Sequence, residues 1–270
     1  MNDRQLMLDV VALARLAGEA ILPFWRADVA VTSKADDSPV TAADLAAHRV
    51  IVDGLRALAP QIPVLSEEDC EIPLTIRQGW QRWWLVDPLD GTKEFIAGSE
   101  EFTVNIAMVE NGEVVFGVVA MPTNGYCYFG GCALGAWKVE LDKEARMIQV
   151  RNGPPPDGCF TVVASRRHSS LDQDALLAGL SSVVGELELA SIGSSLKFCM
   201  LAEGKADFYP RLAPTCQWDT AAAQGVLEGA GGTVVNMLGE RLTYSPVANN
   251  LNPYFLAFPH GFGWERLIRR

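Results

Sequence analysis

The feature that most constrains this chain is a short apolar run that ends abruptly in two aspartates. Residues 83–86, Trp-Trp-Leu-Val, have the length and composition of a buried strand. Asp87, Pro88 and Asp90 follow directly. Because Pro88 favours a turn, we expect the strand to end there with Asp87 exposed at its carboxyl end and Asp90 returning beside it. The segment therefore predicts a pair of neighbouring carboxylates.

The residues after this pair suit a phosphate. Gly91 allows close approach of a ligand to the backbone, and a helix that begins there would turn the N–H groups of residues 91–93 outward toward an anion. Mg²⁺ prefers carboxylate oxygens together with water and substrate phosphate. The segment can thus hold a hard cation beside a phosphate. The alternative is a plain strand–turn–helix junction with aspartates as turn formers. Two aspartates alone do not decide between this junction and a ligand site.

Three further acidic positions are candidates for the same site. Glu67 lies in the run Ser-Glu-Glu-Asp directly after the short apolar stretch 63–65, although such runs are usually solvated surface. Asp219 precedes an alanine-rich stretch, where the alternative role is a helix N-cap. Thr41 and Asp44 fit a capping box, which is a rigid place to present a carboxylate. Asp37, just upstream, belongs to the same candidate segment.

Apolar spacing divides the chain into two halves. Before residue 152 it predicts helices over 6–24 and 41–59, strands at 63–65, 83–86, 126–129 and 136–139, and a hairpin of 103–108 and 114–120 joined by Asn111-Gly112. Residues 152–158, rich in Gly and Pro, predict a linker. Beyond it we expect strands at 160–164, 186–192, 206–209, 233–235 and 255–258, alternating with helices over 172–180, 195–203 and 219–228. This pattern predicts an α+β domain with the metal site over 1–152 and an α/β domain over 153–270.

Composition excludes several classes of function. The net charge of −11 disfavours a nucleic-acid polymer as partner, while bound cations would still attract a small anion. No apolar run is long enough to span a membrane, and the charged residues of the first 25 positions argue against a signal peptide. The six cysteines form no C-x-x-C pair, so we expect reduced thiols and a cytoplasmic protein.

Several motifs, taken together, resemble the inositol monophosphatase superfamily. They are Glu67-Glu68, the segment Asp-Pro-Leu-Asp-Gly-Thr over 87–92, and Trp218-Asp219 followed by Ala-Gly-Gly at 230–232. The resemblance runs from the first helix to about Ala257. It implies a layered α/β/α/β/α sandwich and a magnesium-dependent phosphatase that lithium inhibits.

The resemblance also implies roles for individual residues. Two or three Mg²⁺ ions would be held by Glu67, Asp87, Asp90, the carbonyl of Leu89, and Asp219. Thr92 would bind the phosphate and, with Glu67, orient the attacking water, while Asp44 and Asp37 would help to hold a further metal or its water. The substrate would contact Leu89, Asp90, Gly91, Thr92 and Asp219. The chemistry implied is metal-assisted attack of water on phosphorus.

Finer features are similar to the 3′(2′),5′-bisphosphate nucleotidases of the CysQ type. The sequence carries Lys-Glu-Phe at 93–95, Ser-Arg-Arg-His at 165–168, Gly-Ser-Ser-Leu-Lys-Phe at 193–198 and Tyr-Pro-Arg at 209–211. By this resemblance His168 and Ser194 would line the nucleotide pocket, and Lys197 and Arg211 would bind a second phosphate. The ordinary alternative for each basic residue is a solvated surface charge.

The implied reaction is hydrolysis of adenosine 3′,5′-bisphosphate to AMP and phosphate, which recycles a by-product of sulfate activation. An inositol or other sugar monophosphatase is the alternative within the superfamily. A haloacid dehalogenase-type phosphatase has its two aspartates two positions apart, whereas Asp87 and Asp90 are three apart. No P-loop motif is present, and a non-catalytic phosphate-ester-binding protein is the alternative of another class. Monomer and homodimer stay open, as does peripheral contact with the inner face of the cell membrane.

Overall fold

The computed structural model describes residues 2–27, 31–33, 39–141, 143–153, 158–164 and 171–263. Its helices are α1 (Asp3–Ile21), α2 (Ala42–Leu58), α3 (Leu74–Arg77), α4 (Thr92–Ile96), α5 (Leu171–Val184), α6 (Leu196–Ala202) and α7 (Ala221–Gly229), with a 3₁₀ turn at Leu22–Phe24. Its strands are β1 (Val31–Ser33), β2 (Pro39–Thr41), β3 (Val64–Ser66), β4 (Arg82–Asp90), β5 (Thr103–Glu110), β6 (Glu113–Met121), β7 (Tyr126–Gly131), β8 (Gly135–Val139), β9 (Arg146–Met147), β10 (Phe160–Ala164), β11 (Leu187–Ser191), β12 (Tyr209–Arg211), β13 (Gly232–Asn236) and β14 (Phe255–Pro259).

A sheet of the order β3-β4-β5-β6-β7-β8-β9 is the first half's main element. Only β3 and β4 pair in parallel, and the other neighbours are antiparallel. Successive side chains of a strand point to opposite faces. Trp84 and Val86 accordingly pack toward α1 and α2, while Trp83 and Leu85 pack toward α6 and α7.

The second half contains a smaller sheet that also has helices on both faces. The strands β12-β14-β13 form a second sheet, in which Phe255 and Ala257 face α6 and α7 while Leu256 and Phe258 face the cluster containing α5. The strands β10 and β11 pair in parallel, and a bridge between Val162 and Phe208 connects them to this layer. The layers are therefore helix, sheet, helix, sheet, helix, which confirms the predicted sandwich.

Most local predictions match their elements. Thr41 caps α2 and exchanges hydrogen bonds with Asp44 as a capping box. Asn111 and Gly112 both have positive φ, 52° and 82°, as the hairpin turn between β5 and β6 requires. A short helix, α4, does begin just after Gly91. The described helices include none that is both long and apolar enough to cross a membrane.

Strand β4 departs from the expectation that it would end before Pro88. It continues to Asp90, and Asp87 is buried rather than exposed. The pairing with β5 shifts there: Asp87 lies opposite Asn105 and Asp90 lies opposite Thr103. This is a β-bulge with one extra residue, which accommodates a proline that has no N–H for the ladder.

The predicted strand over 206–209 is also displaced, to Tyr209–Arg211. The chain changes partner at this point, since Asp207 and Phe208 donate to Thr161 of β10 and Tyr209 pairs with Ala257 of β14. Asp207 accepts the N–H of Thr161 at 2.7 Å, so a side chain replaces part of the ladder. The apolar pattern alone does not show this change.

One hydrophobic cluster contains residues from both sides of the predicted linker. Trp83 and Val109 share it with Phe198, Ala222 and Phe255. The division of the chain into domains 1–152 and 153–270 stays a prediction.

Candidate active site

Five carboxylates line one cavity of about 260 Å³ at an edge of the first sheet, and four of them are predicted metal ligands. Glu67 follows β3, and its N–H donates to the carbonyl of Val86 on β4. Asp87 and Asp90 come from the bulged end of β4. Asp219 lies two residues before α7. The remaining lining residues are Leu89, Gly91, Thr92, Lys93 and Glu94.

Burial disfavours the charged form of three of these carboxylates. It raises the pKa of Asp87, Asp90 and Asp219, and their mutual repulsion together with that of Glu67 adds to the effect on Asp87 and Asp219. For Asp90, the nearby ammonium of Lys197 partly opposes the increase in pKa. A cluster of hard oxygen donors with too little compensating positive charge fits a divalent cation.

The carboxylates do not form a closed cage. In the described part of the chain, no three His, Cys, Asp or Glu side chains converge into a ready-made metal-binding group. Mg²⁺ keeps several waters and usually takes only one or two carboxylates together with substrate phosphate, so an open wall suits it better than a cage.

Thr92 connects this cavity to Asp44. The Thr92 hydroxyl lies 3.2 Å from the carbonyl oxygen of Leu89 and 3.4 Å from Oδ1 of Asp44. The other carboxylate oxygen of Asp44 accepts the N–H and the hydroxyl of Thr41, at 2.8 and 2.6 Å. Burial raises the pKa of Asp44 despite these hydrogen bonds. One buried side chain therefore caps α2 and contacts Thr92.

A second cavity, of about 190 Å³, shares Asp90, Gly91, Lys93, Glu94 and Asp219 with the first. Its other wall carries Ser194, Lys197 and Arg211, three of the residues that the motifs singled out, together with Gly193, Ser195, Phe198, Tyr209, Thr215 and Thr220. The structure thus brings the predicted metal ligands and the predicted second-phosphate residues to adjoining cavities.

The basic residues of the second cavity are incompletely paired within the described chain. Lys197 is buried, donates to the carbonyl of Ser194 at 2.8 Å, and has a pKa lowered to about 8 by desolvation. Arg211 donates through Nη2 to Pro214, whereas its buried Nε has no partner among the described residues. The Ser194 hydroxyl is likewise buried without a partner there, on a residue with φ of 49°. These groups are suitable donors for an anion.

The sequence motifs assign no role to several polar residues of the site. Thr103, Asn105 and Ser195 surround Asp90, each of them almost completely buried. Asn105 does leave a signal in the sequence, because it is a polar residue within the otherwise apolar stretch 104–109.

Two predicted residues cannot be placed, and one alternative role is wrong. Asp37 and His168 fall outside the described residues, so their roles stay predictions. Asp219 does not cap α7, whose N-cap is Thr220; its carboxylate accepts the N–H of Cys216 at 2.9 Å. The capping alternative for Asp219 is therefore wrong.

The five-layer sandwich, with its acidic cavity at the end of a bulged strand, matches the fold and the phosphatase class that the motifs imply. The chain belongs to the inositol monophosphatase family, whose family model matches residues 3–253. This confirms the resemblance that the motifs indicate.

Comparison with individual proteins shows which members of this family the chain is similar to. The chain is 52% identical to the 3′(2′),5′-bisphosphate nucleotidase CysQ of Shigella flexneri, over 92% of this chain and 98% of that protein. It is 51% identical to the protein of the same name from Escherichia coli K12, with the same coverage. The solved structure of CysQ from Bacteroides thetaiotaomicron superposes with a TM-score of 0.81 at 37% identity, covering 95% of this chain and 98% of that one.

Proposed function

We propose that this protein is a Mg²⁺-dependent phosphatase that hydrolyses adenosine 3′,5′-bisphosphate to AMP and phosphate. The observation that carries the proposal is the pair of adjoining cavities, which share Asp90, Gly91, Lys93, Glu94 and Asp219: carboxylates dominate the first, and the second adds Lys197 and Arg211. We call the part of the second cavity formed by Ser194, Lys197 and Arg211 the basic wall. A substrate with two phosphates can place the scissile phosphate in the first, acidic cavity and the other phosphate against the basic wall. The names of the two curated relatives described above support the same reaction.

The ligands proposed for Mg²⁺ are Glu67, Asp87, Asp90, Asp219 and the carbonyl of Leu89, and their oxygen chemistry fits that ion. Mg²⁺ bound there would supply Lewis acidity and lower the pKa of a coordinated water. Two or three ions, and inhibition by lithium, are part of the proposal.

The chain's own residues orient the reactants. The Thr92 hydroxyl can donate its proton toward Asp44, which leaves an oxygen lone pair to accept a hydrogen bond from the attacking water. Because Thr41 holds the other oxygen of Asp44, the carboxylate cannot turn away from Thr92. Glu67 lines the same cavity and is proposed to share the orientation of this water. Asp37 is proposed to assist Asp44.

The basic wall is proposed to bind the 5′-phosphate. Lys197 has further N–H donors beyond the one given to Ser194, and the buried Nε of Arg211 is available within the described chain. Ser194 adds a hydroxyl, and His168 is proposed to contact the nucleotide. Charged hydrogen bonds to phosphate are strong enough to discriminate a bisphosphate from a monophosphate.

A substrate panel tests the proposal. The kcat/KM values for adenosine 3′,5′-bisphosphate, inositol 1-phosphate and fructose 1,6-bisphosphate are compared with and without Mg²⁺, and we expect the nucleotide to lead. A higher value for a sugar phosphate would favour the alternative of an inositol or sugar monophosphatase. Binding of the nucleotide without phosphate release in Mg²⁺ would identify a non-catalytic binding protein instead.

Variants of the basic wall refine this test. A charged hydrogen bond contributes about 1.5–3 kcal/mol, so Lys197→Ala should lower kcat/KM for the bisphosphate about ten- to a hundredfold. Activity on adenosine 3′-monophosphate should change little, and Arg211→Ala should behave in the same way. Equal losses on both substrates would mean that these residues support the fold or the metal site.

The proposal extends to the biological setting of the enzyme. Recycling of a by-product of sulfate activation follows from the proposed substrate. A cytoplasmic location, peripheral contact with the inner face of the membrane, and a monomeric or homodimeric state stay predictions.

A further inference from the structure

Asp90 is held by a closed ring of hydrogen bonds. Its Oδ2 accepts the backbone N–H of Ser195 at 2.5 Å and the side-chain amide of Asn105 at 3.3 Å. The Ser195 hydroxyl donates to Oδ1 of Asn105 at 2.9 Å, which closes the ring. The Thr103 hydroxyl lies 2.9 Å from that of Ser195.

Proton counting gives this ring a direction. A carboxylate at Asp90 can only accept, so Asn105 must present its NH₂ group to Asp90 and its carbonyl to Ser195. Ser195 then uses its only hydroxyl proton on Asn105. The Thr103 hydroxyl donates to Ser195, the nearest of its three possible acceptors; the others are Oδ1 of Asn105 at 3.3 Å and Oδ2 of Asp90 at 3.4 Å. The order of donation is Thr103, Ser195, Asn105, Asp90. All three polar side chains are at most 3% exposed, where such chains are stronger and missing members cost more than in water.

The ring also joins separate elements. Asp90 ends β4, Thr103 and Asn105 lie on β5, and Ser195 precedes α6, the helix that carries Lys197. Ser195 is anchored to Asp90 directly by its backbone N–H and indirectly by its hydroxyl, which donates to Asn105. The start of α6 therefore cannot move without disturbing the carboxylate.

We propose that Asn105 and Ser195 are positioning residues that fix the carboxylate of Asp90 for divalent-cation binding. This inference rests on the metal site of the proposed function. Groups that orient a metal ligand typically alter metal affinity about ten- to a hundredfold when removed, although they do not touch the ion.

Metal binding tests the proposal without any substrate. The full-length metal-free protein is titrated with Mn²⁺, and free Mn²⁺ is followed by electron paramagnetic resonance. We expect Asn105→Ala and Ser195→Ala to weaken Mn²⁺ binding about ten- to a hundredfold. Ser195→Thr, which keeps the hydroxyl, should retain wild-type affinity. Thr161→Val is the matched control, because it removes a buried hydroxyl that bonds Arg151 away from this site, and it should also retain affinity.

Circular dichroism and cooperative melting identify variants that remain folded. Folded Asn105→Ala and Ser195→Ala proteins with wild-type Mn²⁺ affinity would overturn the proposal, as would a wild-type protein that binds no Mn²⁺. If either alanine variant does not fold, Thr103→Val removes the first donor of the chain with little change of shape, and its affinity should fall while Thr103→Ser restores it. Wild-type Mn²⁺ binding without hydrolysis of any phosphate ester would reject the proposed function and leave this inference standing.

Discussion

Asp87 illustrates a conflict between folding and ligand binding at a single residue. Its carboxylate is buried beside Glu67, Asp90 and Asp219, and it accepts the N–H of Leu89 at 3.0 Å. Burial, together with repulsion from these carboxylates, raises its pKa and destabilises the metal-free protein. The same concentration of charge is what makes a divalent cation bind.

Asp87→Asn should therefore separate stability from activity. The variant keeps an oxygen that can accept from Leu89 but removes one of the repelling charges, so its melting temperature in EDTA should rise. Turnover at ordinary Mg²⁺ should fall about a hundredfold or more, since an anionic ligand contributes several kcal/mol to the reaction. Near-normal turnover by the folded variant would contradict the assignment of Asp87 as a ligand. Asp207→Asn is the matched control, because that buried carboxylate is paired with Arg151 and its loss should lower the melting temperature.

Lys197 gives the proposed selectivity a dependence on pH. Its ammonium is opposed by burial and by Arg211 and supported by Asp90, Glu94 and Glu101, which leaves a pKa of about 8 in the free enzyme. The charged form is therefore present below pH 8 and is lost as the pH rises through that value.

The ratio of kcat/KM for adenosine 3′,5′-bisphosphate to that for adenosine 3′-monophosphate should accordingly decrease above about pH 8, because kcat/KM reports groups of the free enzyme. Lys197→Arg keeps its charge throughout this range, so its ratio should stay flat. A ratio that stays constant to pH 10 in the wild type would exclude Lys197 as the discriminating contact.

At this scale the motifs located the acidic residues well, and the structure brings Glu67, Asp87, Asp90 and Asp219 to one cavity. The surrounding residues were harder to find. Asn105 is polar within an apolar strand, which is a visible signal. Ser195 is an ordinary serine before a helix, and its partners come from residues about ninety positions away. Contacts of that range leave no trace in a local pattern.

Among the elements, long periodic segments were predictable and short ones were not. The helices α1 and α2 and the hairpin β5–β6 match their predicted positions closely, since they bury continuous apolar faces. The short elements β1, β2, α3 and β9 have too few residues for a period to appear. Their existence depends on tertiary contacts.

Helix α7 packs on the first sheet through backbone rather than through large side chains. A Cβ atom built on Gly117 of β6 would lie 1.9 Å from the carbonyl oxygen of Ala222, and one on Gly225 would lie 2.7 Å from the nitrogen of Gly117. The helix therefore lies directly against the strand. Because Asp219 is two residues before α7, this contact also sets the height of Asp219 above the sheet.

Gly117→Ala should destabilise the protein by about 3 kcal/mol, since neither backbone can move away from the added methyl group. Gly179→Ala is the control, because that glycine lies in α5 with no atom near the built Cβ, and alanine should be neutral or stabilise by up to about 1 kcal/mol. Urea denaturation measures both changes. Equal stability of the two variants would show that α7 can shift on the sheet.

On the scale of the whole molecule, metal binding and pH should act on stability together. The folded protein holds Asp87, Asp90 and Asp219 with pKa values above 3.8, so without metal it takes up protons that the unfolded chain does not. This contribution makes the metal-free protein lose stability as the pH rises from about 4 through the raised pKa values. A cation that requires deprotonated ligands has the opposite effect.

The rise in melting temperature caused by Mg²⁺ should therefore grow between pH 5 and pH 7.5. Scanning calorimetry with Mg²⁺ or EDTA across this range measures it, and Asp87→Asn should reduce the increase. Ca²⁺-free buffers of constant ionic strength exclude general screening. A Mg²⁺ effect that is the same at both pH values would argue against cation binding by these carboxylates.

The bulge in β4 places Asp87 and Asp90 on the same face of the sheet. In a regular strand, residues an odd number of positions apart point to opposite faces, so Asp87 and Asp90 would be separated by the sheet itself. The extra residue changes an odd interval into an even one, and the two aspartates oppose Asn105 and Thr103, which share a face of β5. A regular ladder with the same three-residue interval would turn Asp90 toward the apolar layer of α1 and α2, whereas removing one residue between the aspartates would keep them on one face without a bulge. Two aspartates three positions apart can therefore serve one site only because one residue between them is left out of the pairing with β5.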